Sequence, residues 1–243
     1  MSALKYAACA VVAFAFAGTG AMAQEVPQQV DVKGIKNPQM RAYRSVWAGL
    51  DAFDEHRALA PQADAVRFRI KPYAANKDGV IDGITLHIVG KGDAIAVPIA
   101  DSQFTIARNQ RAYDDNADLI FNHKRYLFKT FAEVRTPGVP SNARRLGDLR
   151  LECQVNVAMV KKEAPFYIVA AANALFMTTD WCKKLGIQMS VPTEQLSKVT
   201  MMHGERKKNV ALTELSMGAL VDQSWPDDTL VELEYGASAA AAL

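Results

Sequence analysis

Two periods of apolar and polar positions run along this chain, and the switches between them mark its elements. Met40, Tyr43, Trp47, Leu50 and Phe53 recur at spacings of three and four. That stripe predicts an amphipathic helix opening at Asn37-Pro38, an Asn cap followed by Pro at the first helical position, and ending near Leu59. Asp51, Asp54, Glu55 and Arg57 fill much of the opposite face. From Asp64 the period drops to two. Val66, Phe68 and Ile70 alternate with Arg67, Arg69 and Lys71, and Ile84, Leu86 and Ile88 alternate with Thr85 and His87. Ile95, Val97 and Ile99 continue the alternation, each set predicting a strand with one covered face. Leu119–Phe121 and Tyr126–Phe131 read as hairpin arms around the polar stretch Asn122-His123-Lys124-Arg125.

The stretch Thr136-Pro137-Gly138-Val139-Pro140-Ser141-Asn142 is the strongest loop signal. Beyond it, Leu149, Leu151, Cys153, Val155, Val157 and Met159 alternate with Arg150, Glu152, Gln154, Asn156 and Ala158, predicting a long half-buried strand over 148–160. Pro165 opens a second helix that runs through Ala170–Ala174 to Lys183-Lys184, with Gly186 just past its end. Its first four residues, Phe166-Tyr167-Ile168-Val169, also suit a strand. Val210–Leu215 reads as a strand and 224–228 as a turn. Val231, Leu233 and Tyr235 form a closing strand, whose Glu232 and Glu234 are placed across from Arg67 and Arg69 as a charge ladder.

The fold class that follows is α+β, predominantly antiparallel β and sandwich-like, with an N-terminal amphipathic helix and a second, buried helix. Residues 37–135 make the helix and β-rich region. Residues 146–235 make a strand-helix-strand region that closes the same fold or forms a second small domain. Residues 236–243 are a small-residue tail. The N-terminus is read as a targeting segment: one lysine, an apolar run over Tyr6–Gly18, and Ala21-Met22-Ala23 as a cleavage signal. Residues 1–23 are then removed, 24–36 become a flexible leader, and the periplasm or exterior is the expected compartment.

Composition narrows the function. The formal charge is +2, and +1 once Lys5 leaves with the signal, so no basic excess points to nucleic acid. No later segment is long and apolar enough to span a bilayer. Cys153 and Cys182 survive processing, and an even pair in an oxidising compartment predicts a Cys153–Cys182 disulfide. Asn76-Lys77-Asp78-Gly79 echoes the middle of an EF-hand loop. Ala74 and Thr85, however, stand where its first and last ligands belong, so the stretch reads as a turn between strands.

Chemical signatures are few. His56, His87, His123 and His203 have no zinc spacing, and each is read as a solvated residue. Neither the nucleophile elbow nor a glycine-rich phosphate loop occurs. Asp114-Asp115 with Asp118, and Asp227-Asp228, are acids in turn contexts. No catalytic, metal or cofactor residue is assigned. Arg144 and Arg145 with Arg150, and Arg206, Lys207 and Lys208, are the candidate contacts for a polymer or partner. These features point to an exported, non-enzymatic envelope protein that binds another protein or an anionic or glycan surface polymer. A periplasmic hydrolase acting on glycans or esters is the competing expectation.

Overall fold

A computed structural model describes residues 35–73, 83–184, 196–211 and 221–236. All of them belong to one compact unit, Val32–Leu243. The expected signal segment, most of the expected leader, the stretch Asn76–Gly79, Gly186 and residues 237–243 of the expected tail lie outside the described residues.

The fold is mixed α+β, with three antiparallel sheets among the described residues. The first contains β1 (Pro38–Ala42), β6 (Asp118–Lys124), β3 (Leu86–Val89) and β4 (Ile95–Val97), in that spatial order. The second contains β5 (Gln103–Phe104), β2 (Val66–Pro72) and β7 (Phe128–Val134). The third contains β10 (Arg206–Val210), β9 (Leu196–His203), β11 (Leu230–Tyr235) and β8 (Ala143–Arg145). The predicted alternation holds in β2, where Val66, Phe68 and Ile70 are buried, and in β11, where Val231 and Leu233 are.

The N-terminal helix, α1 (Tyr43–Glu55), starts later than its stripe suggests. Pro38 opens β1 instead, on the edge of its sheet, where the missing amide costs no ladder bond. Asn37 takes a left-handed backbone, φ +57°, and so does not cap a helix. Of the stripe, Tyr43 and Phe53 are buried, Trp47 and Leu50 are half-buried and Met40 falls in β1. Val46 and Ala52, outside the stripe, are buried too, and a 3-10 turn over Arg57–Leu59 finishes the segment.

The predicted hairpin over 119–131 is not one. β6 pairs with β1 and β3, whereas β7 pairs with β2, so the connection between them carries the chain from one sheet to another. The two strands meet through Phe121 and Phe128, whose rings touch edge to face at 5.0 Å. The proposed charge ladder also dissolves. Arg69 pairs with Glu133 on β7 at 2.9 Å, Arg67 with Asp64 at 2.7 Å, and Glu234 with Lys198 at 2.7 Å.

The largest correction is the segment predicted as a long strand. It is a helix, α3 (Leu146–Glu163), which follows the short α2 (Gln110–Asp114) in the chain. A helix turns about 100° per residue, so alternate residues fall about 200° apart and form two stripes on opposite sides. Leu151, Val155 and Met159 enter one core with α1 and the first two sheets. Leu146, Leu149 and Cys153 enter a second core with Val199, Met201, Trp225, Val231 and Leu233. Period two here records a helix covered on two sides. Close approach is built in. A Cβ on Gly49 of α1 would lie 2.7 Å from Met159 Cγ, and one on Gly147 would lie 1.9 Å from the Leu59 carbonyl oxygen.

A third stripe, polar, runs between those two. Asp148, Glu152 and Asn156, four residues apart, accept from the backbone amides of Thr136, Val134 and Ala132 at 2.8, 3.2 and 3.2 Å. Those amides lie along the free edge of β7, so helix side chains replace the strand that edge lacks.

The second predicted helix is real but shorter and unburied. α4 spans Phe166–Phe176, and Met177 ends it in a left-handed conformation, φ +54°. A separate 3-10 turn at Trp181–Lys183 then carries Cys182. β9 has no counterpart among the sequence expectations. Of the strand expected over Val210–Leu215, Val210 closes β10 and residues 212–215 lie outside the described residues.

Candidate functional site

The basic residues selected from sequence do not form one surface. Arg144 is wholly buried in an ion pair with Glu152 at 2.7 Å, donates to the Val134 carbonyl at 2.8 Å and lies 3.9 Å from Glu133. Burial works against its charge, and Glu152, Glu133 and Asp148 more than offset that, holding its pKa above the usual arginine value. Arg144 therefore ties α3 to β7. Arg150 is engaged by Asp227 at 2.5 Å and by the Asp222 carbonyl at 2.9 Å. Arg206 lies 3.8 Å over the Trp225 ring and donates to the Ser224 carbonyl. Lys207 and Lys208 are exposed on β10. With Arg145 on β8, the two clusters occupy opposite edges of the third sheet. Lysines on an edge strand also deter unwanted pairing, which accounts for them without a ligand.

The histidines are dispersed. His87 is buried inside the first sheet rather than solvated, because β3 is covered by strands on both sides. His123 Nδ1 lies 2.8 Å from Asn122 Oδ1, and His203 Nε2 lies 3.2 Å from Asp228. Asp114 accepts from Gln110, and Asp118 sits in β6, where burial pushes its carboxyl above the usual range. Among the described residues no three His, Cys, Asp or Glu side chains converge as a metal site would need.

Cys153 and Cys182 are bonded, with Cα atoms 6.0 Å apart. The bridge joins the buried middle of α3 to the chain that follows α4. Around it, Trp181 Nε1 donates to Asn173 of α4 at 2.8 Å, and Gln154 donates to Asp180 at 3.0 Å. Lys161 lies over the Trp181 ring at 4.9 Å and donates to the Thr179 carbonyl.

A cleft of about 470 Å³ opens at the end of the first sheet. Its walls are Gln39, Met40, Arg41 and Ala42 of β1, Tyr73 beyond β2, Arg125 and Tyr126 between β6 and β7, and Glu163 at the end of α3. Its frame follows from backbone pairing: the Arg125 amide donates to the Asn37 carbonyl at 2.9 Å, and the Tyr73 amide to Leu127 at 3.1 Å. Tyr126 holds a left-handed backbone, φ +71°, with its ring 75% exposed. Such a conformation is disfavoured for a bulky residue and persists where the surroundings enforce it. Glu163 accepts from Arg41 Nε at 3.0 Å and from Ser45 Oγ at 2.8 Å. It is the one carboxylate among the lining residues, and it fixes Arg41 at the rim. Arg125 is exposed, and Lys129 sits 5.9 Å from the Tyr73 ring.

Sequence reasoning missed this site because its walls come from four segments that only the sheet crossover brings together. A tyrosine following Lys124-Arg125 in a polar connection was the one local signal. The second surface it misjudged is α4. Phe166 is 84% exposed, Leu175 76% and Met177 85%, and no residue of the helix is buried. No helix among the described residues is long and apolar enough to cross a membrane. No protein-family model, no curated protein and no solved structure matches this chain.

Proposed function

We propose that the chain is a non-enzymatic cell-envelope protein that binds an anionic surface polymer, with the cleft as its binding site. The observation that carries this reading is the convergence of Arg41 and Arg125 with Tyr73 and Tyr126 on one rim. Guanidinium forks match carboxylate and phosphate oxygens in pairs. Exposed tyrosine rings give a sugar a flat apolar face together with a hydroxyl. Glu163 is committed to Arg41 and Ser45, so it serves as a positioning group for the arginine. The envelope location rests on the N-terminal sequence. A disulfide between Cys153 and Cys182 supports it, since such bonds persist mainly in oxidising compartments.

Titration calorimetry with an acidic polysaccharide and with a neutral one of similar length tests the reading. Binding is expected for the acidic polymer alone, weakening as salt rises. The double variant Arg125→Ala, Tyr126→Ala should lose about tenfold or more in affinity, as expected when a charge-assisted contact and an aromatic face go together. Equal binding by wild type and variant, or no binding at all, would defeat the proposal. Release of new chain ends during the same incubation would instead favour the hydrolase reading.

A further inference from the structure

The cleft leaves α4 unexplained. From Pro165 to Met177 thirteen residues pass without a charge. Such a composition belongs to a helix buried on every side. Here Val169, Ala172, Asn173 and Phe176, on one narrow face, are half-buried, while Phe166, Tyr167, Ile168 and Leu175 stand in solvent. At about 100° per residue the exposed positions sweep an uncharged arc of about 200°. The helix is nonetheless firmly held. Asn173 takes the Trp181 indole, Phe176 packs on Trp181 with ring centres 5.9 Å apart, and the Cys153–Cys182 bond closes the base. A rigid apolar surface is thus presented rather than a loosened core element.

The charges beside it identify the occupant. Lys161 and Lys162 precede α4, and Lys183 and Lys184 follow it. The nearby acids are already engaged: Glu163 by Arg41, and Asp180 by Gln154 and, at 3.7 Å, by Lys183. A second copy of the chain would bring one net-positive flank against another, since the four lysines outnumber Glu163 and Asp180. A protein groove covers a narrower strip than the arc exposed here. A lipid surface covers the whole arc and, when anionic, attracts both lysine pairs at headgroup level. Eleven residues make a helix of about 16 Å, too short to cross a core of about 30 Å. We infer that α4 docks the protein onto an anionic lipid bilayer, lying in the interface with Lys162 and Lys184 at the headgroups.

Co-sedimentation of the purified full chain with vesicles tests this, independently of polymer binding, because the cleft residues are left intact. One set of vesicles is phosphatidylcholine alone, and the other holds an equal part of phosphatidylglycerol. The protein is expected to pellet with the anionic vesicles only, less so as salt rises. The double variant Phe166→Ser, Leu175→Ser should weaken vesicle binding about tenfold or more, because two large side chains no longer enter lipid. A second variant, Lys162→Glu with Lys184→Glu, leaves the apolar face whole and should also release the protein, with unchanged helical circular dichroism. Absence of wild-type binding, equal binding to both vesicle types, or binding indifferent to these substitutions overturns the inference. Reversible self-association in sedimentation velocity, lost in the serine variant and without vesicle binding, would overturn it too and assign the face to a second copy.

Discussion

Two consecutive helices of this protein invert the usual relation between composition and burial. α3 carries Asp148, Arg150, Glu152, Lys161, Lys162 and Glu163, yet most of its middle is inside the protein. α4 carries no charge, yet none of its residues is buried. What separates them is the set of surfaces each one meets. α3 lies between two cores and along the open edge of β7, so each of its sides has a partner. Asp148, Glu152 and Asn156 satisfy edge amides, and Arg144 answers Glu152. A buried polar group is tolerated when it is bonded, and the three acceptors of α3 each hold an edge amide of β7, while Arg144 bonds through one nitrogen of its guanidinium. α4 has one such partner face, around Trp181, and water on the rest. Burial belongs to the environment of an element as much as to its residues.

That contrast breaks most forcefully at Glu152. Glu152→Ala would strip Arg144 of its closest partner and uncover the Val134 amide, leaving a buried guanidinium whose nearest paired carboxylate is Glu133 at 3.9 Å. A loss of about 3–5 kcal/mol in urea unfolding is expected. A loss below about 1 kcal/mol would mean that the polar stripe of α3 is not what joins it to β7. Next in size is the disulfide, the covalent link between α3 and the 3-10 turn that follows α4. It closes a loop with a sequence separation of 29. Its removal by Cys153→Ala with Cys182→Ala should cost about 3.6 kcal/mol in the chain-entropy model. Hydrogen exchange should show amides of α4 losing protection before those of α3. Uniform loss across both helices would mean that α4 has stronger anchors than the bridge. Smallest should be Leu175→Ser, on the exposed arc. Its melting curve is expected to stay within about 0.5 kcal/mol of wild type, as for other surface positions. A loss of about 2 kcal/mol or more would show Leu175 to be packed in solution and would remove the contrast.

Much of the fold was legible wherever an element has a single covered face. Val66, Phe68 and Ile70 in β2, Val231 and Leu233 in β11, and Tyr43, Trp47, Leu50 and Phe53 in α1 each repeat with the period of their element. The Cys153–Cys182 bond was legible from the count of cysteines. α3 was misread because alternation suits both a strand covered on one face and a helix covered on two sides. Its length held the discriminating signal, since eleven alternating residues, Leu149–Met159, far exceed the usual five or six of a strand. The hairpin over 119–131 was misread because the strands flanking a short polar stretch usually pair, whereas these join different sheets. The candidate site was hardly legible at all. Arg41, Tyr73, Tyr126 and Glu163 lie far apart in sequence, and no local pattern relates them.

By itself the sequence determined where apolar residues repeat, where the chain turns, and which two cysteines were free to meet. Tertiary structure decided that α3 is a helix between two cores, that α4 faces outward, and that four distant segments enclose one cleft. The reason is physical. Periodicity is a local property, written by the residues of one segment, whereas burial and convergence depend on surfaces contributed by other parts of the chain.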